Sequence, residues 1–168
     1  QVAAVRGIAA RPSEVFADGL IPLLTSDAPA IRAASARALR RISADHAGVI
    51  IEKLRGDPAP AVQVELAEAL LLTRGEEARE ALFGLLERCR PTVREEVASA
   101  AYRFVGGDRA GLARVMPYDP SLEVNIAGLR LAERIADPAL LRDLLPGTAR
   151  DHRNEYVRAR SLRMMAER

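Results

Sequence analysis

One periodicity limits what this chain can fold into. The stretch Asp27-Ala-Pro-Ala-Ile-Arg-Ala-Ala-Ser-Ala-Arg-Ala-Leu-Arg-Arg-Ile42 combines a turn, a helix start and an amphipathic helix, and its skeleton recurs along the chain. The dipeptides Ile31-Arg32, Val62-Gln63, Val93-Arg94, Val124-Asn125 and Val157-Arg158 follow one another at spacings of 31, 31, 31 and 33 residues. A fixed period in this range marks a stacked-repeat architecture. Each unit is too small to bury its own apolar face and must lean on the next.

The local signals divide the chain accordingly. A half-repeat over 1–10 is followed by repeats at about 11–44, 45–75, 76–106, 107–136 and 137–168. In the first repeat Ser13 is a plausible N-cap, and Val15, Phe16, Leu20, Leu23 and Leu24 offer an apolar face, although Gly19 and Pro22 weaken that helix. Pro29 suits a first helical turn, and Ile31, Ala34, Ser35, Ala38, Leu39 and Ile42 recur every three or four residues. Helices are then predicted over 47–54 and 60–73, closed by Gly75 as a C-cap. Further helices are predicted over 76–88, 93–105, 109–116 and 121–135. The fifth repeat reads as a short helix over 139–145, a polar connection over 146–154 and a last helix from Glu155. Because Gln1 opens the chain in a segment resembling 38–44, the sequence reads as a piece of a longer protein.

Composition agrees with an all-α core built from small aliphatic side chains. Trp is absent and aromatics are 4% of residues, so close helix contacts must be made by Leu, Val, Ile and Ala. Positive charge is almost all guanidinium, with Lys53 the single lysine. One cysteine, Cys89, excludes an internal disulfide framework and reads as a structural thiol late in a helix. No run approaches the ~18 apolar residues that a membrane-spanning helix requires.

The recurring skeleton (Asp, Pro, Val-Arg, two small residues, Ala-Leu) resembles the short bacterial kind of HEAT repeat. It stands as Asp27-Ala-Pro29-Ala-Ile31-Arg32 with Ala38-Leu39, as Asp57-Pro58 with Val62-Gln63 and Ala69-Leu70, and as Pro91-Thr-Val93-Arg94. A looser copy joins Asp119-Pro120 to Val124-Asn125, and Val157-Arg158 lacks the proline. The resemblance covers essentially the whole chain. It implies a right-handed α-solenoid of about five stacked antiparallel helix pairs, forming a single domain. It also implies a ladder between adjacent repeats, for which Asp27, Asp57 and Asp119 with Arg32, Arg94 and Arg158 are the candidates, and a scaffold or protein-binding role.

In such solenoids the second helices line the concave, binding face. Counting six, nine and ten residues on from each Ile or Val selects Arg37, Arg40, Arg41, Glu68, Leu71, Leu72, Ser99, Tyr102, Arg103, Arg130, Glu133 and Arg134 as pointing away from the core. Glu65, Glu95 and Glu96 lie near the entry of that face. Of these, Arg37, Arg40, Arg41, Glu68, Leu72, Tyr102, Arg103, Arg130 and Arg134 are the expected partner-binding residues. The expected partner is another protein or another domain of the same polypeptide. The charge pattern argues against nucleic acid, since acidic residues interrupt any positive stripe and stacking aromatics are missing.

Nothing in the sequence assembles a catalytic centre. His46 and His152 each follow an Asp near a helix start, where solvated polar residues are common, and neither has a second His or Cys at ligand spacing. Gly106-Gly107 lacks the Lys-Ser/Thr context of a phosphate loop. The expectation is a non-enzymatic, cofactor-free cytoplasmic scaffold, or the cytoplasmic segment of a larger, membrane-anchored protein. Two alternatives remain: a phycobilin-lyase-like HEAT subunit, by resemblance in repeat type, and a nucleic-acid-binding solenoid.

Overall fold

The computed structural model describes residues 13–73, 76–101 and 109–167, together with Ala3, Val5 and Gly7. Every regular element among these residues is helical. The chain packs as two compact units, residues 1–93 and 94–168.

The first unit contains α1 (Ala17–Leu20), α2 (Pro29–Ile42), α3 (Ala47–Leu54), α4 (Pro60–Leu72) and α5 (Glu76–Arg88). A short 3-10 turn, Glu14–Phe16, precedes α1, and another, Ile21–Thr25, follows it. The first predicted helix thus tightens into a 3-10 turn where Pro22 falls, while Gly19 lies inside α1. Its apolar face is also incomplete, because Leu20 and Leu24 are buried while Val15 and Phe16 are exposed. Ser13 has extended backbone before the first turn but makes no side-chain cap bond. Helix α3 occupies the predicted span, and α2 and α4 each open on a proline, as fits a position whose amide has no helical acceptor. Helix α4 is the centre of this unit. It packs against α2, α3 and α5, and Val62, Val64, Leu66, Ala67, Ala69, Leu70 and Leu71 are all buried. A helix covered on so many sides must be apolar around most of its circumference.

Helix α6 (Pro91–Ala101) carries the chain from one unit into the next. The second unit continues with α7 (Arg109–Val115), a 3-10 turn at Met116–Tyr118, α8 (Leu122–Ile135), α9 (Pro138–Asp151) and α10 (Glu155–Ala166). Helices α9 and α10 pack together, and α8 packs against α7 and the Met116–Tyr118 turn. Gly75 and the predicted end of the 93–105 helix lie outside the described residues.

The fifth repeat departs from expectation. Helix α9 runs through Pro146 to Asp151, so the polar connection predicted over 146–154 shrinks to His152–Asn154. A proline in a helix interior removes one amide and crowds the carbonyl four residues back. Burial of Leu140, Leu141, Leu144, Leu145 and Thr148 on either side of it outweighs that cost. The Thr148 hydroxyl also bonds the Leu144 and Leu145 carbonyls at 3.1 and 3.0 Å. No described helix is long and apolar enough to cross a membrane.

Two glycines test the packing from opposite sides. A Cβ at Gly128 in α8 would stand 2.7 Å from Met116 Cβ, 2.8 Å from Pro117 Cδ and 2.9 Å from the Pro117 nitrogen. A Cβ at Gly48 in α3 meets nothing within 4 Å. Gly128→Ala should therefore destabilise by about 1–3 kcal/mol, because overpacking exceeds the helix-propensity gain. Gly48→Ala should stabilise by about 0.5–1 kcal/mol in urea unfolding.

Candidate functional site

The repeat register becomes physical at the turn before each second helix. Arg32 Nη1 donates to the Ser26 carbonyl at 2.8 Å, Gln63 Nε2 to the Asp57 carbonyl at 3.2 Å, Asn125 Nδ2 to the Asp119 carbonyl at 2.7 Å and Arg158 Nη1 to the His152 carbonyl at 2.8 Å. In all four cases the side chain reaches six residues back. It satisfies a carbonyl that the turn leaves without a helical donor.

The residue supplying that carbonyl does a second job. Asp57 Oδ1 accepts the Ala59 amide at 2.9 Å, and Asp119 Oδ1 accepts the Ser121 amide at 2.8 Å. At the corresponding place Ser26 Oγ accepts the Ala28 amide at 3.4 Å, and His152 Nδ1 accepts the Asn154 amide at 3.0 Å. The turn position in the first repeat is thus Ser26, one residue before Asp27, the expected ladder carboxylate. His152 is buried, contrary to the solvated position expected of it, because it fills the place that Asp57 and Asp119 hold elsewhere.

Two salt bridges join successive turns. Arg32 holds Asp57 through Nε at 2.6 Å and Nη2 at 3.0 Å. Arg94 holds Asp119 identically, at 2.6 and 2.9 Å. Both pairs span 25 residues, and both are largely sheltered from solvent. At the last step Asn125 carries no charge. There Arg153 Nη2 reaches back to the Asp119 carbonyl at 3.3 Å and to the Pro120 carbonyl, while the Tyr118 and His152 rings lie 6.1 Å apart.

The nine expected binding residues separate into distinct environments. In the first unit Glu65 is buried to 1% exposure between α2 and α4. It accepts from Arg37 Nε at 2.7 Å and from Arg40 Nη2 at 3.0 Å, and Arg40 also pairs with the buried Glu68. Arg40 and Glu68 therefore do not point away from the packing as the sequence count predicted, and Leu71 is buried as well. Arg41 is exposed and Leu72 is half-buried. Tyr102 and Arg103 lie outside the described residues.

In the second unit Arg130 and Arg134 line an open groove of about 630 Å³ with Glu133, Arg160 and Ser99. Its apolar floor includes Ala127 and Leu131. Glu133 accepts from Arg160 Nη2 at 2.6 Å. Arg130 makes no hydrogen bond or ion pair with any described residue, which leaves its guanidinium available in the groove.

Arg160 escaped the sequence count because it lies three residues after Val157, a position taken to face the helix entry. The signal was present nonetheless. Arg40 lies nine residues after Ile31 and Glu65 three after Val62, and that pair crosses adjacent second helices. Glu133 lies nine after Val124 and Arg160 three after Val157, repeating the bridge with its charges exchanged.

Among the described residues no cluster of His, Cys, Asp and Glu is arranged to hold a metal ion. Cys89 is buried, with its thiol 3.4 Å from the Leu86 carbonyl. Models of known protein families, curated proteins and solved structures were compared with this chain, and none matches it.

Two predictions separate structural from available charge. Arg40→Ala takes one guanidinium from each of two buried carboxylates, Glu65 and Glu68, and should cost about 2–4 kcal/mol, whereas Arg130→Ala should stay within about 0.5 kcal/mol, both by urea unfolding. The second prediction concerns pH. Burial raises the Asp57 carboxyl, but the Arg32 hydrogen bond, the Ala59 amide and the guanidinium charge together hold it below the usual carboxylate range. A pKa depressed by folding stabilises fully above the unfolded value of about 3.9, and that stabilisation is lost as pH falls through the folded value. Arg32→Gln should thus cost about 1–3 kcal/mol at pH 7, and its deficit relative to wild type should shrink below about pH 4. A deficit unchanged at pH 3 would assign the cost to something other than the Asp57 charge.

Proposed function

We propose that this chain is a non-enzymatic protein-binding module, a right-handed solenoid of about five HEAT-type helix pairs acting as a scaffold or regulatory segment. Its partner is another protein, or another domain of the same polypeptide, engaged on the face formed by the second helices. The observation that supports this most is the recurrent turn chemistry. A side chain one residue after the repeat's Ile or Val reaches six residues back in four copies, and an Arg–Asp bridge spans 25 residues in two. Bonds recurring at one register are what copies of one packing unit would make, and so they support this reading. Stacked units of this kind present extended surfaces suited to macromolecules.

The mixed charge of the second helices favours a protein over nucleic acid, since Glu65, Glu68 and Glu133 interrupt the arginines. In a pull-down from a cytoplasmic extract, an Arg41→Glu, Tyr102→Ala, Arg103→Glu variant should lose the partners that wild type retains. Equal recovery by both would place the binding surface elsewhere.

A further inference from the structure

The groove of the second unit can be compared with the ionic cluster at the same register in the first. Arg37 lies six residues after Ile31 and donates to Glu65, three residues after Val62 on the following second helix. Arg130 lies six residues after Val124, and the residue three after Val157 is Arg160. Where the first unit places a carboxylate opposite its guanidinium, the second places another guanidinium. The Arg37, Arg40, Glu65 and Glu68 cluster balances two positive charges with two negative ones. Among the described residues the groove sets Arg130 and Arg160 against the single carboxylate of Glu133. Arg160 Nε is also buried and has no hydrogen-bond acceptor among the described residues.

From this we infer that the groove between α6 and α8 binds a carboxylate side chain of an acidic peptide segment, with Arg130 as its anchor. The inference rests on the protein-binding reading above and specifies the chemistry of the partner. Glu65 shows the type of contact the register accommodates, a carboxylate shared between guanidiniums that approach to 2.7 and 3.0 Å. Planar guanidinium forks match carboxylates in shape as well as charge. The small side chains of Ala98, Ser99 and Ala127 leave about 630 Å³ of open space, enough to admit a side chain and the backbone that carries it. An incoming carboxylate also relieves the like charges of Arg130 and Arg160. The apolar floor at Ala127 and Leu131 suits the methylene stem of a glutamate.

The test uses the full chain and a fluorescein-labelled decaglutamate peptide, followed by fluorescence anisotropy at low salt. A decaglutamine peptide and a ten-nucleotide single-stranded DNA serve as comparisons, and thermal melting checks that each variant is folded. The glutamate peptide should bind and the glutamine peptide should not. Arg130→Ala should weaken binding roughly ten-fold or more, the cost of one charge-assisted contact, while Arg130→Lys should retain part of it. Absence of glutamate-peptide binding, or binding unchanged in Arg130→Ala, overturns the inference. Equal or tighter binding of DNA through Arg130 also overturns it, identifying a phosphate groove instead. The pull-down gives a separate answer. Partners retained by Arg130→Ala but lost by the triple variant would leave the protein-binding reading standing without this groove. Peptide binding with no captured partner would do the reverse.

Discussion

The structure depends on how each turn satisfies its own backbone. A helix pair joined by a short turn leaves carbonyls and amides that no helix can pair, and burying them unpaired would be costly. Here one side chain at the start of four second helices bonds a carbonyl six residues back, and one side chain in each of those turns accepts an amide two residues ahead. Arg32, Gln63, Asn125 and Arg158 are chemically different, yet each donates to the same kind of acceptor. Ser26, Asp57, Asp119 and His152 differ just as much and share the complementary role. With the turn closed from within, its outer atoms can join neighbours, as Arg32 does with Asp57 and Arg94 with Asp119.

That constraint divides the arginines into two kinds. Those that open second helices are committed to their own turn, as Arg158 is, to the next turn's carboxylate, as Arg94 is, or to both, as Arg32 is. Those further along meet whatever the following helix offers at the facing position. Where it offers Glu65, Arg37 and Arg40 close over a buried carboxylate. Where it offers Arg160, the charges do not cancel and a groove remains open beside Arg130. One register thus yields a structural cluster in one unit and an accessible basic groove in the other, through charges reversed at facing positions.

Much of the architecture was legible because its signals are local. Helices α3 and α5 occupy the predicted spans, since Gly56-Asp57-Pro58 and Arg90-Pro91 stop the chain where regular hydrogen bonding must stop. Pro146 misled for the opposite reason, because a local breaker was overruled by leucines buried on both sides of it. His152 misled in a similar way. Its polar neighbours suggested solvent, but its register placed it in a sheltered turn. Of the candidate site, Arg130 and Arg134 were found by counting from Val124. Arg40 and Glu68 had the same count but opposite surroundings.

The sequence by itself determined the helical repeat, its period and the residues that open each second helix. Those follow from hydrophobic spacing and turn chemistry within a few residues. Only the tertiary structure decided which charges neutralise one another. Glu65 and Arg40 are 25 residues apart, as are Arg32 and Asp57, and only the approach of neighbouring helices and turns brings each pair within hydrogen-bond distance. The same approach sets Arg160 rather than a carboxylate beside Arg130, and so decides where the second helices remain open to a ligand.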